Sequence, residues 1–249
     1  MRRFTIAPDR IDGDRVSFDR DETRHLALVL RLKPGDTVVA TDGRGRDYTV
    51  RIESLDETAT GTVLGVVTRE PDTVFPIVLV QGIPKGDKME AIIRASTELG
   101  VAGVHPVITE RTIVRLDPAR WRERGRRWQR VAKEATKQCG RAAIPNVEAP
   151  RALTEVLGAV GPAEPGDLRL CLWEGDGEPL RAVLERARGA ARTAVVLIGP
   201  EGGLARTEVE AARASGFVVT SLGRRILRTE TAGPAIIAIL QAHLGDLAR

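Results

Sequence analysis

The residues best suited to carry chemistry lie in two stretches near the carboxyl end of the chain. Ile198–Leu204, the glycine-rich segment, contains three glycines and a glutamate. Leu222–Ala232, the Arg-Thr segment, combines three arginines with one glutamate and two threonines. Glycines after a strand let backbone N–H groups approach a ligand and hydrogen-bond its polar edges, although a tight turn without a ligand is the alternative. The glycine-rich segment lacks the spacing of a dinucleotide fingerprint and the lysine of a Walker loop, which disfavours those two phosphate cradles.

The cysteines and histidines give no support to nucleophilic or metal chemistry. Cys139 and Cys171 are the only cysteines, and neither has a cysteine or histidine nearby at a metal-ligand spacing. Both are expected to be reduced and structural. His25, His105 and His243 are scattered along the chain and are expected on the surface or in packing contacts. We therefore expect no metal site.

Alternating helices and strands from residue 77 onward place both segments after strands. The strands are almost uniformly apolar, which is typical of a parallel sheet covered by helices on both faces. Ligands bind such α/β sheets beyond the carboxyl ends of the strands, so the loops there, including a third at Leu172–Gly175, form the candidate site. The predicted strands are 77–83, 104–109, 168–173, 193–198 and 217–222, and the predicted helices are 87–99, 118–140, 179–188, 207–215 and 234–244.

The first seventy residues instead predict a small closed β-barrel with one helical insertion. Asp21 is expected to cap a helix over Glu22–Arg31. The buried face of this helix is expected to carry Leu26, Val29 and Leu30. The predicted strands are 2–6, 15–18, 37–41, 46–55 and 61–69. A proline-bracketed connector after residue 70 marks the boundary, which gives predicted domains of residues 1–72 and 73–249.

Positive charge is concentrated in one part of the chain. Residues 111–141 contain eleven lysines and arginines against three acidic residues, whereas the whole chain has a formal net charge of only +4. Such a concentration is typical of a surface that contacts a phosphate backbone, with a solvated helix face as the alternative. Trp121 and Trp128, seven residues apart here, are expected to pack against a neighbouring element rather than stack on bases.

The composition, 42% hydrophobic and 29% charged, is ordinary for a globular protein. The longest apolar runs, such as Ala194–Ile198, are far too short to cross a bilayer, so no membrane association is expected. The first residues lack the apolar region of a secretory signal, which predicts a cytoplasmic location.

Together, the glycine-rich and Arg-Thr segments resemble the signature pair of the ribosomal RNA small subunit methyltransferase E family, a family of SPOUT methyltransferases. The resemblance extends over nearly the whole chain. Many relatives carry a lysine where this chain has Ala95, so no role is transferred to that position. The other matching positions are Met1–Phe4, His25, Val29–Arg31, Pro34–Asp36, Lys85, Lys88–Glu90, Glu98–Val101, Arg111, Glu134, Lys137, Gln138 and Arg141.

This resemblance implies a fold and an activity. The fold would be a PUA-like, RNA-binding β-barrel followed by a trefoil-knotted α/β domain with a parallel sheet, in a homodimer that buries the knotted region. The activity would be methylation of uridine N3 in 16S small-subunit ribosomal RNA, with S-adenosylmethionine as donor and no metal. An assembled 30S subunit is the expected substrate, and naked RNA is the alternative.

The resemblance predicts the cofactor-binding residues, and the chemistry of methyl transfer and the positions of basic residues predict the other roles. Arg228 is expected to stabilise charge developing on uracil O2 or O4, while Glu230 either accepts the N3 proton or anchors Arg228. Gly202→Val is expected to abolish donor binding by filling the pocket. The expected cofactor-binding residues are Leu172, Gly199, Glu201, Gly202, Leu222, Gly223, Ile226 and Leu227. For Leu222, Ile226 and Leu227, packing in the core is the alternative. The expected RNA-binding residues are Arg3, His25, Arg31, Lys85, Lys88, Arg111 and Arg141.

Two other functions stay open at this level. A non-catalytic ribosome-assembly factor would grip ribosomal RNA through the basic helix and the first domain, and its salt-sensitive binding would survive loss of the glycine loops. A nucleotide-dependent enzyme of another class is disfavoured because the usual phosphate-cradle motifs are missing.

Overall fold

The computed structural model describes residues 3–70, 72–161 and 163–247, and its internal contacts divide the chain into two compact units. The first unit comprises the residues up to Asp72 together with Thr136–Ile144. The second comprises Thr73–Ala135 and the residues from Pro145 onward. Thr136–Ile144 therefore packs with the first unit although it follows residue 72 by more than sixty positions in the sequence.

A six-stranded sheet forms the first unit among its described residues. Its order is β1-β4-β5-β6-β3-β2, and every neighbouring pair is antiparallel except the parallel pair β1–β4. Phe4 from β1 and Phe18, just after β3, meet in one core with ring centroids 6.4 Å apart, so the sheet curls around that core. The strands are β1 Arg3–Thr5, β2 Ile11–Asp12, β3 Arg15–Ser17, β4 Thr37–Thr41, β5 Arg46–Leu55 and β6 Ala59–Thr68.

The helical insertion of this unit begins earlier than predicted. Helix α1 spans Arg20–Arg24 and continues as a π-helical turn over His25–Val29. Its N-cap is Asp19, whose carboxylate accepts a hydrogen bond from the backbone N–H of Glu22 at 2.8 Å. The prediction of Asp21 as the cap was therefore wrong. Asp19 is the cap, because it lies three residues before Glu22, the spacing at which a capping side chain reaches a backbone N–H.

The π-helical turn changes which side chains are buried. Leu26 is buried as predicted, whereas Val29 is 67% exposed, contrary to the prediction. The backbone N–H of Leu30 bonds to the carbonyl of His25, five residues back, at 3.1 Å. This wider turn leaves Val29 off the buried face, whereas Leu30 is partly buried and packs against the core as predicted.

In the second unit, the described strands form a wholly parallel sheet, which confirms the predicted α/β fold class. Its order is β10-β8-β7-β13-β11-β14-β12, with β9 beside β8. The threading of the chain does not follow from this order, so the trefoil knot stays a prediction. The strands are β7 Ile77–Gly82, β8 Gly103–Ile108, β9 Asn146–Val147, β10 Arg151–Ala152, β11 Asp167–Leu172, β12 Glu178–Pro179, β13 Thr193–Ile198 and β14 Val218–Ser221.

Helices cover both faces of this sheet. Successive side chains of a strand point to opposite faces, and on β7 Val80 packs in a cluster with Val156 and Val209 while Leu79 lies beside Gly233. No helix among the described residues is long and apolar enough to cross a membrane. The helices are α2 Lys88–Glu98, α3 Pro118–Cys139, α4 Leu153–Ala159, α5 Leu180–Ala187, α6 Arg206–Ala214 and α7 Thr229–Leu244.

Helix α7 begins five residues before its predicted start. Pro234 was expected in the first turn, but the helix starts at Thr229 and Pro234 lies inside it. Thr229 and Glu230 therefore belong to the first turn of α7, where backbone N–H groups have no partner within the helix. As a result, the Arg-Thr segment delivers its polar side chains to a helix N-terminus.

Candidate active site

The carboxyl ends of three neighbouring strands, β13, β11 and β14, open onto one cavity of about 500 Å³. A cavity of this size suits a small-molecule ligand. The glycine-rich segment, the Arg-Thr segment and the loop after β11 all contribute to it, as the rule for parallel sheets predicts. Its lining comprises Lys88, Leu172–Glu174, Ile198–Glu201, Gly203, Leu204, Thr220–Glu230 and Ala232.

Seven of the eight expected cofactor-binding residues line this cavity: Leu172, Gly199, Glu201, Leu222, Gly223, Ile226 and Leu227. Gly202 does not. A Cβ atom on Gly202 would lie 3.2 Å from Cβ of Arg111, whose Nη1 donates a hydrogen bond to the Gly202 carbonyl at 2.7 Å. A valine at Gly202 would therefore press on Arg111 rather than fill the pocket, contrary to the expectation from the sequence.

Two glycines are required by the way the loop after β13 folds back. A Cβ atom on Gly199 would lie 2.7 Å from the carbonyl carbon of Gly203. Gly203 has φ +70°, and a Cβ atom there would lie 2.5 Å from Oε1 of Glu174. At Gly199 no side chain fits without a shift of the loop backbone, whereas at Gly203 the Glu174 side chain could move and the positive φ is what favours glycine.

A buried hydrogen-bond network fixes the base of the cavity, and sequence reasoning missed it. Gln81 in β7 is fully buried, and its Nε2 donates to Oγ1 of Thr229 at 2.9 Å and to the Gly82 carbonyl at 3.0 Å. The Thr229 hydroxyl donates in turn to the Gly199 carbonyl at 2.7 Å. The network joins β7, the loop after β13 and the start of α7. Its only sequence signal is a polar residue in the otherwise apolar strand Ile77–Gly82.

Lys88 lies between two carboxylates on the cavity wall. Its Nζ is 2.9 Å from Oε1 of Glu201 and 3.7 Å from Oε2 of Glu230. Hydrogen bonding to Glu201 raises the pKa of Lys88. Burial opposes ionisation of Glu201, but hydrogen bonds from Lys88 and from the backbone N–H of Lys85 outweigh it, so the pKa of Glu201 lies below its ordinary value. Lys88, expected to contact RNA, is thus part of the cavity itself.

The two expected catalytic residues both line the cavity, but they do not pair with each other. Glu230 has Lys88 as its ion-pair partner, not Arg228. Oε2 of Glu230 is buried and accepts no hydrogen bond within the part of the chain that the structure describes. Arg228, the N-cap residue of α7, is exposed. The structure therefore does not show the anchoring of Arg228 by Glu230.

The seven expected RNA-binding residues are divided between the two units. In the first unit, Arg3 forms an ion pair with Asp47 and donates a hydrogen bond to the Gly140 carbonyl at 2.6 Å. Arg141 is buried, and its Nε lies 3.5 Å from a carboxylate oxygen of Asp72. Both guanidinium groups therefore stabilise the first unit, and few of their N–H donors are left to bind RNA.

The remaining expected RNA contacts differ in exposure. His25 is half-buried and packs edge-on against Phe4 at a centroid distance of 5.6 Å. Arg31 is exposed and has φ +53°, a left-handed conformation that is uncommon outside glycine. Lys85 and Arg111, both in the second unit, are exposed at the loops that flank the glycine-rich segment.

The described ranges contain no candidate metal site, and their two cysteines, the exposed Cys139 and the buried Cys171, are both free. No three His, Cys, Asp or Glu side chains cluster there as metal ligands would. Cys171 is buried in the core of the second unit, and this burial raises its pKa to about 12. A thiol with so high a pKa is not a nucleophile near neutral pH.

Comparison with known proteins agrees with this fold and site. A family model described as an RNA methyltransferase domain matches residues 70–241, and another described as an RNA methyltransferase PUA domain matches residues 18–60. The ribosomal RNA small subunit methyltransferase E of Synechocystis is 34% identical over 242 residues, which cover 97% of this chain and 78% of that protein. The protein of the same name from Bacillus subtilis is 29% identical over 224 residues, covering 87% and 85%.

Two solved structures are similar over nearly their whole length. Ribosomal RNA small subunit methyltransferase E from Neisseria gonorrhoeae, bound to S-adenosylmethionine, is 33% identical with a TM-score of 0.85 and 99% coverage of both chains. A methyltransferase of Legionella pneumophila, in complex with the same cofactor, is 30% identical with a TM-score of 0.88 and 98% coverage of both. Fold and site thus define an RNA methyltransferase of the SPOUT type with a PUA domain. Within that class, the chain belongs to the ribosomal RNA small subunit methyltransferase E family.

Proposed function

We propose that this chain transfers a methyl group from S-adenosylmethionine to N3 of a uridine in 16S small-subunit ribosomal RNA. The observation that carries the proposal is the convergence of the glycine-rich and Arg-Thr segments in one cavity at the ends of three parallel strands. The names of the relatives and the donor bound to two similar structures support the substrate and the donor.

The residues of the cavity fit this donor. Leu222, Ile226 and Leu227 offer an apolar wall for an adenine, and the side chain of Ile226, 83% exposed, is accessible to it. At Gly223, which has φ +95°, nothing lies within 4 Å of the place a Cβ atom would occupy. Backbone groups there are open to a ligand. When bound, the donor would supply a methyl group activated by a sulfonium.

The charges of the cavity also fit. Three carboxylates line it, and Lys88 lies near two of them, Glu201 and Glu230. Glu174 has no ion-pair partner within the described ranges, so its carboxylate is available to hydroxyl or ammonium groups of the donor. Such charge-assisted hydrogen bonds are stronger than neutral ones.

Transfer to uridine N3 requires removal of a weakly acidic proton. Oε2 of Glu230, buried and without a hydrogen bond, is the proposed acceptor of that proton. Arg228 balances the negative charge that develops on the uracil oxygens. The protein's further task is to position the base, because a single displacement needs no covalent enzyme intermediate. The base must first leave its stack to enter the cavity.

The wider arrangement belongs to the same proposal. Residues 1–72 form the RNA-binding domain, supported by the PUA match over residues 18–60. Residues 73–249 form the knotted methyltransferase domain, apart from Thr136–Ile144, which pack with the first unit. The working form is a cytoplasmic homodimer, which would cover exposed apolar side chains such as Ile113, 61% exposed. The substrate is the assembled 30S subunit.

Calorimetric titration with S-adenosylmethionine tests the donor. We expect one donor per chain, with an affinity that is lost in Gly223→Val, which adds a side chain at an open backbone position, but retained in Gly189→Val on a remote surface turn. Both glycines have positive φ, so backbone strain is matched. A wild-type protein that binds ribosomal RNA but takes up no donor would instead indicate a non-catalytic assembly factor.

A further inference from the structure

Three arginines form a stripe along one side of helix α3. Arg122, Arg126 and Arg130 recur every fourth residue and are all exposed, and we call them the arginine stripe. Four residues advance an α-helix by about 6 Å, so the stripe extends about 12 Å along the surface of the second unit.

The opposite side of α3 is held in place. Trp121 and Trp128 are only 7% and 3% exposed, as the sequence predicted for packing residues. Gly125, between the two tryptophans in sequence, lies close to Pro150. At the edge of the stripe, the side chain of Gln129 accepts a hydrogen bond from the backbone N–H of Val147 at 2.7 Å. These contacts fix the rotation of the helix and keep the stripe on its solvent side.

Within the described ranges, no acidic side chain pairs with the stripe. Other arginines of α3 do have such partners: Arg120 lies 3.5 Å from Asp117, and Arg127 lies 2.6 Å from Glu90. Like charges four residues apart on a helix repel each other by a few tenths of a kcal/mol, a repulsion that a bound anion would relieve. A repeated cation on a fixed helix matches a repeated anion.

We infer that the arginine stripe binds consecutive phosphates of the ribosomal RNA substrate, an inference that rests on the proposed function. Guanidinium groups bind phosphate through two parallel hydrogen bonds. A membrane is disfavoured because the neighbouring positions on this side of the helix, Ala119, Glu123 and Lys133, offer no large apolar side chain for insertion. A second copy of the chain is disfavoured because two-fold pairing of the stripe would oppose like charges.

The test compares two triple variants in RNA binding at increasing salt. One replaces the stripe (Arg122→Gln, Arg126→Gln, Arg130→Gln), and the other removes the same charge from exposed arginines elsewhere in the second unit (Arg188→Gln, Arg192→Gln, Arg206→Gln). The probe is transcribed small-subunit ribosomal RNA. Because each phosphate contact contributes about 0.7–0.9 to the slope of log affinity against log salt, we expect the stripe variant to lose about two units of slope. Its affinity should fall at least tenfold in 0.1 M salt, while the control changes little.

Equal losses in the two variants, or no loss in either, would overturn the inference. The inference would also be overturned if RNA binding did not depend on the stripe but another property did. That property could be binding to phosphatidylserine vesicles or the oligomeric state. Donor affinity, measured on the same three proteins, should be the same in all. If the wild type did not bind the donor, the proposed function would be contradicted. If the wild type bound the donor but the stripe variant kept the salt slope of the wild type, only the inference about the stripe would be contradicted.

Discussion

At the scale of single residues, Lys88 shows how structure changes a predicted role. The sequence resemblance assigned it to RNA, but its Nζ lies 2.9 Å from Glu201 and 3.7 Å from Glu230 on the cavity wall. Lys88 therefore lies within ion-pair distance of two carboxylates of the cavity. Glu230, whose Oε2 accepts no hydrogen bond within the described residues, stays the proposed proton acceptor.

Glu230→Gln tests that assignment. An amide retains the shape of the side chain but does not accept a proton, so we expect kcat to fall by about 10²- to 10⁴-fold. Donor affinity should change little. Methyl transfer from labelled donor to small-subunit RNA measures kcat, and Glu210→Gln on the exposed side of α6 serves as the control. A kcat within threefold of wild type would remove Glu230 from the chemistry.

The Lys88–Glu201 ion pair gives a pH prediction for stability. The pKa of Glu201 is lowered in the folded chain. Its contribution to the free energy of unfolding is therefore fully present above the unfolded pKa of ~4.3 and is lost as the pH falls through the folded pKa. The pKa of Lys88 is raised, so its contribution is present below ~10.4 and is lost as pH rises through the folded value.

We therefore expect Lys88→Met to lower the free energy of unfolding by the same amount throughout the neutral range. The difference from wild type should shrink as the pH falls below ~4. Urea denaturation at several pH values measures it, with Lys33→Met, an exposed lysine of the first unit, as the control. A difference that changes between pH 6 and 8 would contradict the assigned ion pair.

At the scale of elements, the cavity depends on contacts between strand ends that lie far apart in sequence. Gln81 at the end of β7 bonds to Thr229 at the start of α7, and Thr229 bonds to the Gly199 carbonyl after β13. All three groups are buried, so each needs its partner inside the protein. The network holds the glycine-rich and Arg-Thr segments at a fixed separation.

Thr229→Val and Thr229→Ser separate this positioning role from simple packing. Valine keeps the shape but removes the hydroxyl, which leaves buried polar groups unpaired at a cost of about 1–3 kcal/mol. We expect Thr229→Val to weaken donor binding about tenfold or more, as such a cost allows. Thr229→Ser, which keeps the hydroxyl, should bind within about threefold of wild type. Calorimetry measures both, and equal weakening in the two variants would contradict the role of the network.

The elements predicted best from sequence are those defined by the pattern of their own residues and not by contacts with distant parts of the chain. Strands β4, β5 and β13 match their predicted bounds because alternating or continuous apolar residues define them. The start of α7 was misplaced because proline is typical of a first turn, yet here it is tolerated inside the helix. Helix α4, with seven residues, is too short to show a helical period clearly. Gln81 could not be paired with Thr229, 148 residues away, without the fold.

At the scale of the whole molecule, the first unit is built from two distant parts of the chain. The end of α3 contributes Lys137, whose Nζ lies 2.9 Å from Oε1 of the buried Glu22. The backbone N–H of Ala142 donates to the carboxylate of Asp72 at 2.6 Å. No local pattern in the sequence indicates that Thr136–Ile144 packs with the first unit, because only tertiary contacts join the two parts.

Lys137→Met should therefore destabilise the first unit. Because it removes a charged hydrogen-bond donor from a buried carboxylate, we expect a loss of about 1.5–3 kcal/mol in the free energy of unfolding. Adding Glu22→Gln should recover part of that loss, since the charge is then gone. Chemical denaturation measures all three proteins, and Gln138→Met at the exposed neighbouring position is the control. Additive losses in the double variant would contradict the coupling.

The most direct measurement of the central claim is mass spectrometry of nucleosides from small-subunit ribosomal RNA after reaction of purified 30S subunits, from cells without this gene, with the protein and S-adenosylmethionine. We expect 3-methyluridine to appear at about one residue per RNA, and not to appear with Glu230→Gln in the same reaction time. A methyl group on another atom, or none with a protein that binds the donor, would contradict the proposed chemistry of the cavity.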